Sequence, residues 1–273
     1  MTFEQMLLDL QKIATFAIPA ILAITLHEAA HGYIALRRGD DTALMLGRVT
    51  LNPLKHIDPI GTILLPGILL ITGAPFLFGY AKPVPVNFAR LMNPLKDMVK
   101  VALAGPGMNL FLAIVSALLL YLVIPTIPPN EILGLSGEAS TLSIKDNIPF
   151  FLTYLDYSSM HNLFIDQLKL DALQVHLLIA LGFSIKINML LAFFNMLPIP
   201  PLDGGRVAVG LLPTNLAIKL ARIEPFGFFI IIGFLFLPSL IGLPQITAYV
   251  IGYPVYFLVN LVYTITGHPA PIL

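Results

Sequence analysis

Residues 12–37 read Lys12-Ile13-Ala14-Thr15-Phe16-Ala17-Ile18-Pro19-Ala20-Ile21-Leu22-Ala23-Ile24-Thr25-Leu26-His27-Glu28-Ala29-Ala30-His31-Gly32-Tyr33-Ile34-Ala35-Leu36-Arg37. This run is longer than the ~20 residues with which a helix crosses a bilayer. Its apolar course is interrupted by His27, Glu28 and His31. Ionisable groups at membrane depth are costly and mark functional positions. The rest of the chain has the same apolar character: of its 273 residues, 57% are hydrophobic and 11% charged. Ordinary globular domains carry about 25% charged residues, so most of this surface faces lipid. The mean hydropathy of +0.88 agrees.

Four further segments, 101–124, 173–197, 226–242 and 245–265, are expected to span the membrane. A sixth, 60–78, holds no charge, yet Pro66, Gly67, Gly73 and Pro75 interrupt it, so it is read as a segment that dips in and returns. Loop charge orients the helices. Segment 79–100 carries Lys82, Arg90, Lys96 and Lys100 against Asp97 alone, whereas 125–172 carries Glu131, Glu138, Asp146, Asp156, Asp166 and Asp171 against Lys145 and Lys169. The positive-inside rule puts the first loop in the cytoplasm and the second outside. Arg37 and Arg38 place the end of the first helix inside as well.

The fold class implied is an all-α polytopic membrane protein of five to six transmembrane helices. A re-entrant or short β segment is expected after the first helix, with Leu44 to Leu51 and Tyr80 to Phe88 as partly alternating stretches. Pro83 and Pro85 would confine the second to an edge. Residues 1–273 are read as one integral membrane domain, and the first apolar stretch as retained, because Glu4 and Asp9 precede it. A net charge of zero gives no electrostatic case for nucleic acid.

With no cysteine in the chain, a metal would have to be held by His and carboxylate ligands. His27 and His31, four apart, share one helix face, and Glu28 projects beside them. Two imidazoles can supply two of the three protein ligands of a catalytic zinc, leaving a position for water whose proton the carboxylate can take. The third ligand must come from elsewhere. His161 falls in the outer loop and His176 near the outer end of its helix, and both suit structural niches better. His56 and Asp58 lie in Asn52-Pro53-Leu54-Lys55-His56-Ile57-Asp58-Pro59, which reads as a structured turn. Asp203 fits best. Helix 173–197 runs in the same direction as the first helix and leads into Pro198-Ile199-Pro200-Pro201-Leu202-Asp203-Gly204-Gly205, at a depth similar to the His pair. Its prolines stop the helix, and its glycines allow a turn that points the carboxylate back.

Together these motifs resemble the site-2 protease family of intramembrane zinc metalloproteases, with His-Glu-x-x-His on one membrane helix and Asn-x-x-Pro-x-Pro-x-x-Asp-Gly on a later one. Here these are His27 to His31 and Asn195-Met-Leu-Pro198-Ile-Pro200-Pro-Leu-Asp203-Gly204. The resemblance implies one zinc per chain on His27, His31 and Asp203, with Glu28 as general base and acid. It implies a role for Asn195 in holding substrate. Ala104-Gly105-Pro106-Gly107-Met108-Asn109 is similar to the family's Gly-Pro-x-x-Asn element, which makes Asn109 either a substrate contact or a helix-packing group. Gly79 to Asn87 is similar to a loop of the compact bacterial and archaeal branch, so a prokaryotic cell membrane is implied. The chain resembles the minimal form, without PDZ or CBS modules.

Such an enzyme would act on a single-pass membrane protein or peptide in regulated intramembrane proteolysis. Its substrate helix would have to unwind before the scissile carbonyl is reachable. The unwound stretch could add as a strand along 44–51 or 80–88. A membrane metal-ion transporter and an inactive zinc-binding relative are the competing expectations; intact Glu28, three defensible ligands rather than four, and the lack of repeated halves speak against them.

Overall fold

The computed structural model describes residues 3–64, 68, 82–124, 152–153, 155–167, 170–243, 246 and 248–268. Helices follow one another as α1 (Phe3–Arg37), α2 (Thr42–Met45), α3 (Pro94–Val123), α4 (Tyr157–Asn162), α5 (Ala172–Asn195), α6 (Asp203–Leu211), α7 (Thr214–Ala221), α8 (Gly227–Leu240) and α9 (Tyr253–Ile265). Among the described residues four stretches are long and apolar enough to cross a membrane: Leu10–Arg37, Pro94–Val123, Ala172–Asn195 and Ala248–Ile265. Large apolar side chains such as Ile13, Ile18 and Leu22 on α1, and Phe111, Leu118 and Leu122 on α3, lie exposed, while His27, His31, Asn109 and Asn188 are buried. Apolar outside and polar inside is the distribution lipid demands.

The span expected at 226–242 is helical over Gly227–Leu240, with a 3-10 turn at Glu224–Phe226 leading into it and Gly242 (φ +77°) turning the chain after it. It is not among those four stretches. One sequence expectation changes. The short strands are absent among the described residues. Thr42–Met45 makes one helical turn instead, and 82–87 is extended but unpaired, because Pro83 and Pro85 have no N–H to give a ladder. Residues 65–67, 69–81 and 125–151 lie outside the described residues, and with them most of the expected re-entrant segment and of the outer loop. Pro59–Leu64, at the start of the former, forms a π-helical turn.

The chain divides into two compact units. One comprises Met1–Ala20, Phe111–Leu190 and Tyr253–Leu273. Its core gathers Ala113, Ala117, Leu152, Leu178, Ile185 and Val262. Gly182 lets α5 approach closely, since a Cβ there would stand 2.8 Å from Leu152 Cβ. Several polar groups inside it are matched: Ser116 Oγ lies 2.8 Å from Ser184 Oγ, Asn188 Nδ2 donates to the Ser184 carbonyl at 2.8 Å, and His268 Nε2 donates to the Ala117 carbonyl at 2.8 Å.

The other unit comprises Ile21–Leu110 and Leu191–Gly252. Its core packs Ala35, Leu91, Met98 and Val101 with Ile34, Val86, Phe88 and Val209. Helix α1 ends at Gly39, whose φ of +101° suits a residue without Cβ, and Asp40 N–H closes back on the Ala35 carbonyl at 3.0 Å. Asp40 then ties α2 to the extended 82–87 stretch, accepting from Thr42 N–H at 3.1 Å, from the Thr42 hydroxyl, and from Asn87 N–H at 2.7 Å. Burial pushes the Asp40 carboxyl up, but these donors outweigh it and hold it below the usual carboxylate range. Helix α6 packs against α3 at Gly210, where a Cβ would come within 2.3 Å of Val99 Cγ2.

Candidate metal centre

Three side chains converge inside the second unit. His27 and His31 come from one face of α1, and Asp203 opens the first turn of α6, where a carboxylate suits the positive end of the helix dipole. Asp203 is set there by its neighbours. Leu202 N–H bonds the Ile199 carbonyl at 2.9 Å, and the proline-rich turn folds over the start of α6 so closely that a Cβ on Gly204 would lie 2.2 Å from Met196 O. On Gly205 it would lie 2.3 Å from Pro200 N. Both glycines are required by backbone meeting backbone.

His27 Nε2 and His31 Nε2 stand 3.1 Å apart, and Asp203 Oδ2 lies 3.2 Å from the first and 3.3 Å from the second. All three residues are buried. The far sides of the imidazoles fix their protons. His31 Nδ1 faces the Val101 carbonyl at 2.7 Å, an acceptor only, so Nδ1 carries the hydrogen. His27 Nδ1 lies 2.7 Å from Asn109 Oδ1, and that amide is oriented by Asn109 Nδ2 donating to the Ala23 carbonyl at 3.2 Å. In neutral imidazoles both Nε2 atoms therefore present lone pairs, to each other and to a buried carboxylate oxygen that has no hydrogen-bond partner.

Three acceptors facing one point call for a cation. Ligands about 2.0 Å from a tetrahedral zinc stand about 3.3 Å from one another, and the three separations of 3.1, 3.2 and 3.3 Å match that. Gly105 closes the cradle: a Cβ there would lie 2.4 Å from His31 Nε2 and 2.6 Å from His27 Nε2. The residues present thus fit a zinc ion with three protein ligands.

Glu28 follows His27 on α1, half-buried, and its Oε2 accepts the Val84 N–H at 2.8 Å. The other residues weighed as third ligand are engaged elsewhere. His56 Nε2 faces the Thr50 carbonyl at 3.1 Å, and Asp58 Oδ1 accepts from Ile60 and Gly61 N–H at 3.0 and 2.7 Å. His161 and His176 lie against each other, ring centroids 6.1 Å apart, with His176 also 3.4 Å from the Tyr157 hydroxyl. Asn195 ends α5 and donates to the Leu191 carbonyl one turn back at 3.0 Å. Asn109, considered from sequence for substrate or packing, orients His27. Gly105 and Val84 escaped the sequence reading as site residues, although Gly105 stood within the quoted Gly-Pro-x-x-Asn element.

The family model for peptidase family M50 matches residues 15–238, which include both motifs. The chain belongs to peptidase family M50. Among its relatives in that family, "Putative zinc metalloprotease YwhC" of Bacillus subtilis (strain 168) is 35% identical over 213 residues, 78% of this chain and 76% of that protein. "Putative zinc metalloprotease Rip2" of Mycolicibacterium smegmatis is 28% identical over 220 residues, 81% of this chain and 66% of that protein. No solved structure matches. As an M50 peptidase with apolar helices of spanning length, the chain is a site-2 protease-like metalloprotease and a multi-pass membrane protein.

Proposed function

We propose that this M50 chain is an intramembrane zinc endopeptidase in which His27, His31 and Asp203 hold one zinc and Glu28 is the general base and acid. The observation that carries the proposal is the meeting of three ligand atoms, from His27, His31 and Asp203, beside the Glu28 carboxylate on a helix long enough to span the bilayer. Zinc held there would supply Lewis acidity to the scissile carbonyl and the attacking water. The chain's own groups do the rest. Asn109 and Val101 keep both imidazoles in the tautomer that offers Nε2 inward. Glu28 takes the proton of the attacking water and returns it to the leaving amine, so no covalent enzyme intermediate arises. Burial of the trio keeps bulk water from competing.

The substrate is a single-pass membrane protein or a peptide that unwinds locally within the bilayer, because a helical peptide bond is hidden by its own hydrogen bonds. We assign Asn195, at the end of α5, to helping to hold it. We assign residues 1–273 to one protease domain, in keeping with a family match that draws on segments of both units. We also assign the site to the cytoplasmic side of a prokaryotic cell membrane, with regulated intramembrane proteolysis as its biological use. The orientation rests on the basic residues of 79–100 and after α1.

The decisive experiment reconstitutes wild type and Glu28→Gln in vesicles and follows cleavage of a transmembrane peptide, zinc content and zinc flux together. Glu28→Gln is expected to keep its zinc and lose turnover by about 100-fold or more. Retained turnover would remove Glu28 from the chemistry, and zinc flux without cleavage would make the protein a carrier. Orientation is tested separately. The native chain has no cysteine, so Asp171→Cys should label with an impermeant thiol reagent from outside, and Thr214→Cys only after the membrane is opened. The reverse pattern would invert the topology.

A further inference from the structure

The short extended stretch Lys82-Pro83-Val84-Pro85-Val86-Asn87 has a hydrogen-bond pattern that its sequence constrains tightly. Proline has no N–H, so Val84 is the sole backbone donor between Lys82 and Val86. That donor is aimed at Glu28, 2.8 Å from Oε2, and among the described residues it is the hydrogen bond that this carboxylate receives. The stretch is tied on both sides: Lys82 N–H donates to the His56 carbonyl at 2.9 Å, and Asn87 N–H to Asp40 Oδ2 at 2.7 Å. The Val84 side chain is buried and fills a notch over Gly32, the residue after His31. A Cβ on Gly32 would stand 3.0 Å from Val84 Cγ1, with Ala43 and Val49 each 3.3 Å away.

We infer that the Val84 backbone N–H is a positioning group for Glu28, held in place by the seating of Val84 on Gly32. A glutamate has three side-chain torsions, and its usefulness as a base depends on where its oxygens sit in relation to the attacking water. One N–H on Oε2 removes most of that freedom and leaves Oε1 to accept the proton. The flanking prolines serve the same end. They hold the backbone extended without adding donors that would compete for the carboxylate, and they keep this segment out of any ladder that would draw the Val84 N–H away. The inference rests on Glu28 being the base, as proposed above, and adds to it the group that orients it.

The test uses the full chain in vesicles with a transmembrane peptide, reading kcat, KM and zinc content. Val84→Pro deletes the N–H in a backbone already extended between prolines. Replacing Val84 by its α-hydroxy acid exchanges the N–H for an ester oxygen and keeps the side chain, so it carries the test if Val84→Pro does not fold. Val84→Ala keeps the N–H and trims the packing. Both changes that remove the donor should lower kcat about 10- to 100-fold while zinc stays bound and KM moves less than about 2-fold. Val84→Ala should fall between them and wild type. An unchanged kcat in the ester variant, or a raised KM with kcat intact, would overturn the positioning role. Glu28→Gln in parallel separates the two layers: full turnover there sinks the reading of Glu28 as base, whereas a dead Glu28→Gln beside a fully active ester variant sinks this inference alone.

Discussion

Each of the two units buries a cluster of polar side chains within apolar helices, and the two clusters are satisfied differently. In the unit built on Phe111–Leu190, Ser116, Ser184 and Asn188 give and accept hydrogen bonds among themselves and with a carbonyl. In the unit built on Ile21–Leu110, the outer nitrogens of His27 and His31 are satisfied by Asn109 and Val101, but the inner nitrogens meet each other and Asp203 Oδ2, and as neutral imidazoles they have no proton to share there. A buried polar group without a partner costs about 1–3 kcal/mol, more if charged. The serine cluster is therefore explained by helix packing alone. The histidine cluster brings three ligand atoms to one point, which a cation at its centre would satisfy, and this convergence distinguishes a candidate site from a polar core.

The comparison breaks most sharply at Gly105. Its missing Cβ would overlap His31 Nε2 and His27 Nε2 at 2.4 and 2.6 Å, and those are the lone pairs offered to the metal. Gly105→Ala should cost about 3 kcal/mol or more in zinc binding, over 100-fold in affinity, and activity with it. Metal analysis of the purified variant beside wild type decides it. Full zinc occupancy would mean that α3 can retreat from α1 and that the cradle is looser than its distances indicate.

A smaller effect is expected one step out. Asn109→Leu removes the acceptor that fixes the His27 tautomer while keeping the side-chain volume close, and should weaken zinc affinity or activity about 10- to 100-fold. Competition with a chelator of known strength measures it. If zinc affinity held while KM rose, Asn109 would be a substrate contact.

These residues also mark how far the sequence could be read. His27, Glu28 and His31 are legible because a four-residue spacing fixes a helix face without any knowledge of neighbours. Asp203 was reachable through topology, since two helices running the same way bring their ends to one depth. Gly105 and Val84 were out of reach for a different reason. Gly105 contributes an absence of atoms, visible only once α3 lies against the imidazoles, and Val84 contributes a backbone N–H that any residue but proline would have. Four spans were legible from apolar length, at Leu10–Arg37, Pro94–Val123, Ala172–Asn195 and Ala248–Ile265. The expected strands failed because partial alternation does not reveal that a segment lacks donors.

The mildest effect belongs to the satisfied cluster, and it sharpens the comparison by being mild. Ser184 Oγ lies 2.8 Å from Ser116 Oγ and 3.3 Å from Asn188 Nδ2, so Ser184→Ala removes a hydroxyl whose partners keep other options: Asn188 still donates to the backbone carbonyl of residue 184. Hydrogen bonds between membrane helices average about 0.6 kcal/mol, because the alternative state also finds partners. Ser184→Ala should therefore lower stability by about 0.6 kcal/mol, with Ser116→Ala similar and the double variant less than additive. Denaturation in mixed detergent, run as a double-mutant cycle, reads the coupling. Zinc content should not change in any of the three, since neither serine is among the trio's ligands. Loss of zinc on removing a serine would show that the two polar clusters are energetically linked, and the distinction between a packed polar core and a metal centre would have to be drawn elsewhere than at hydrogen-bond satisfaction.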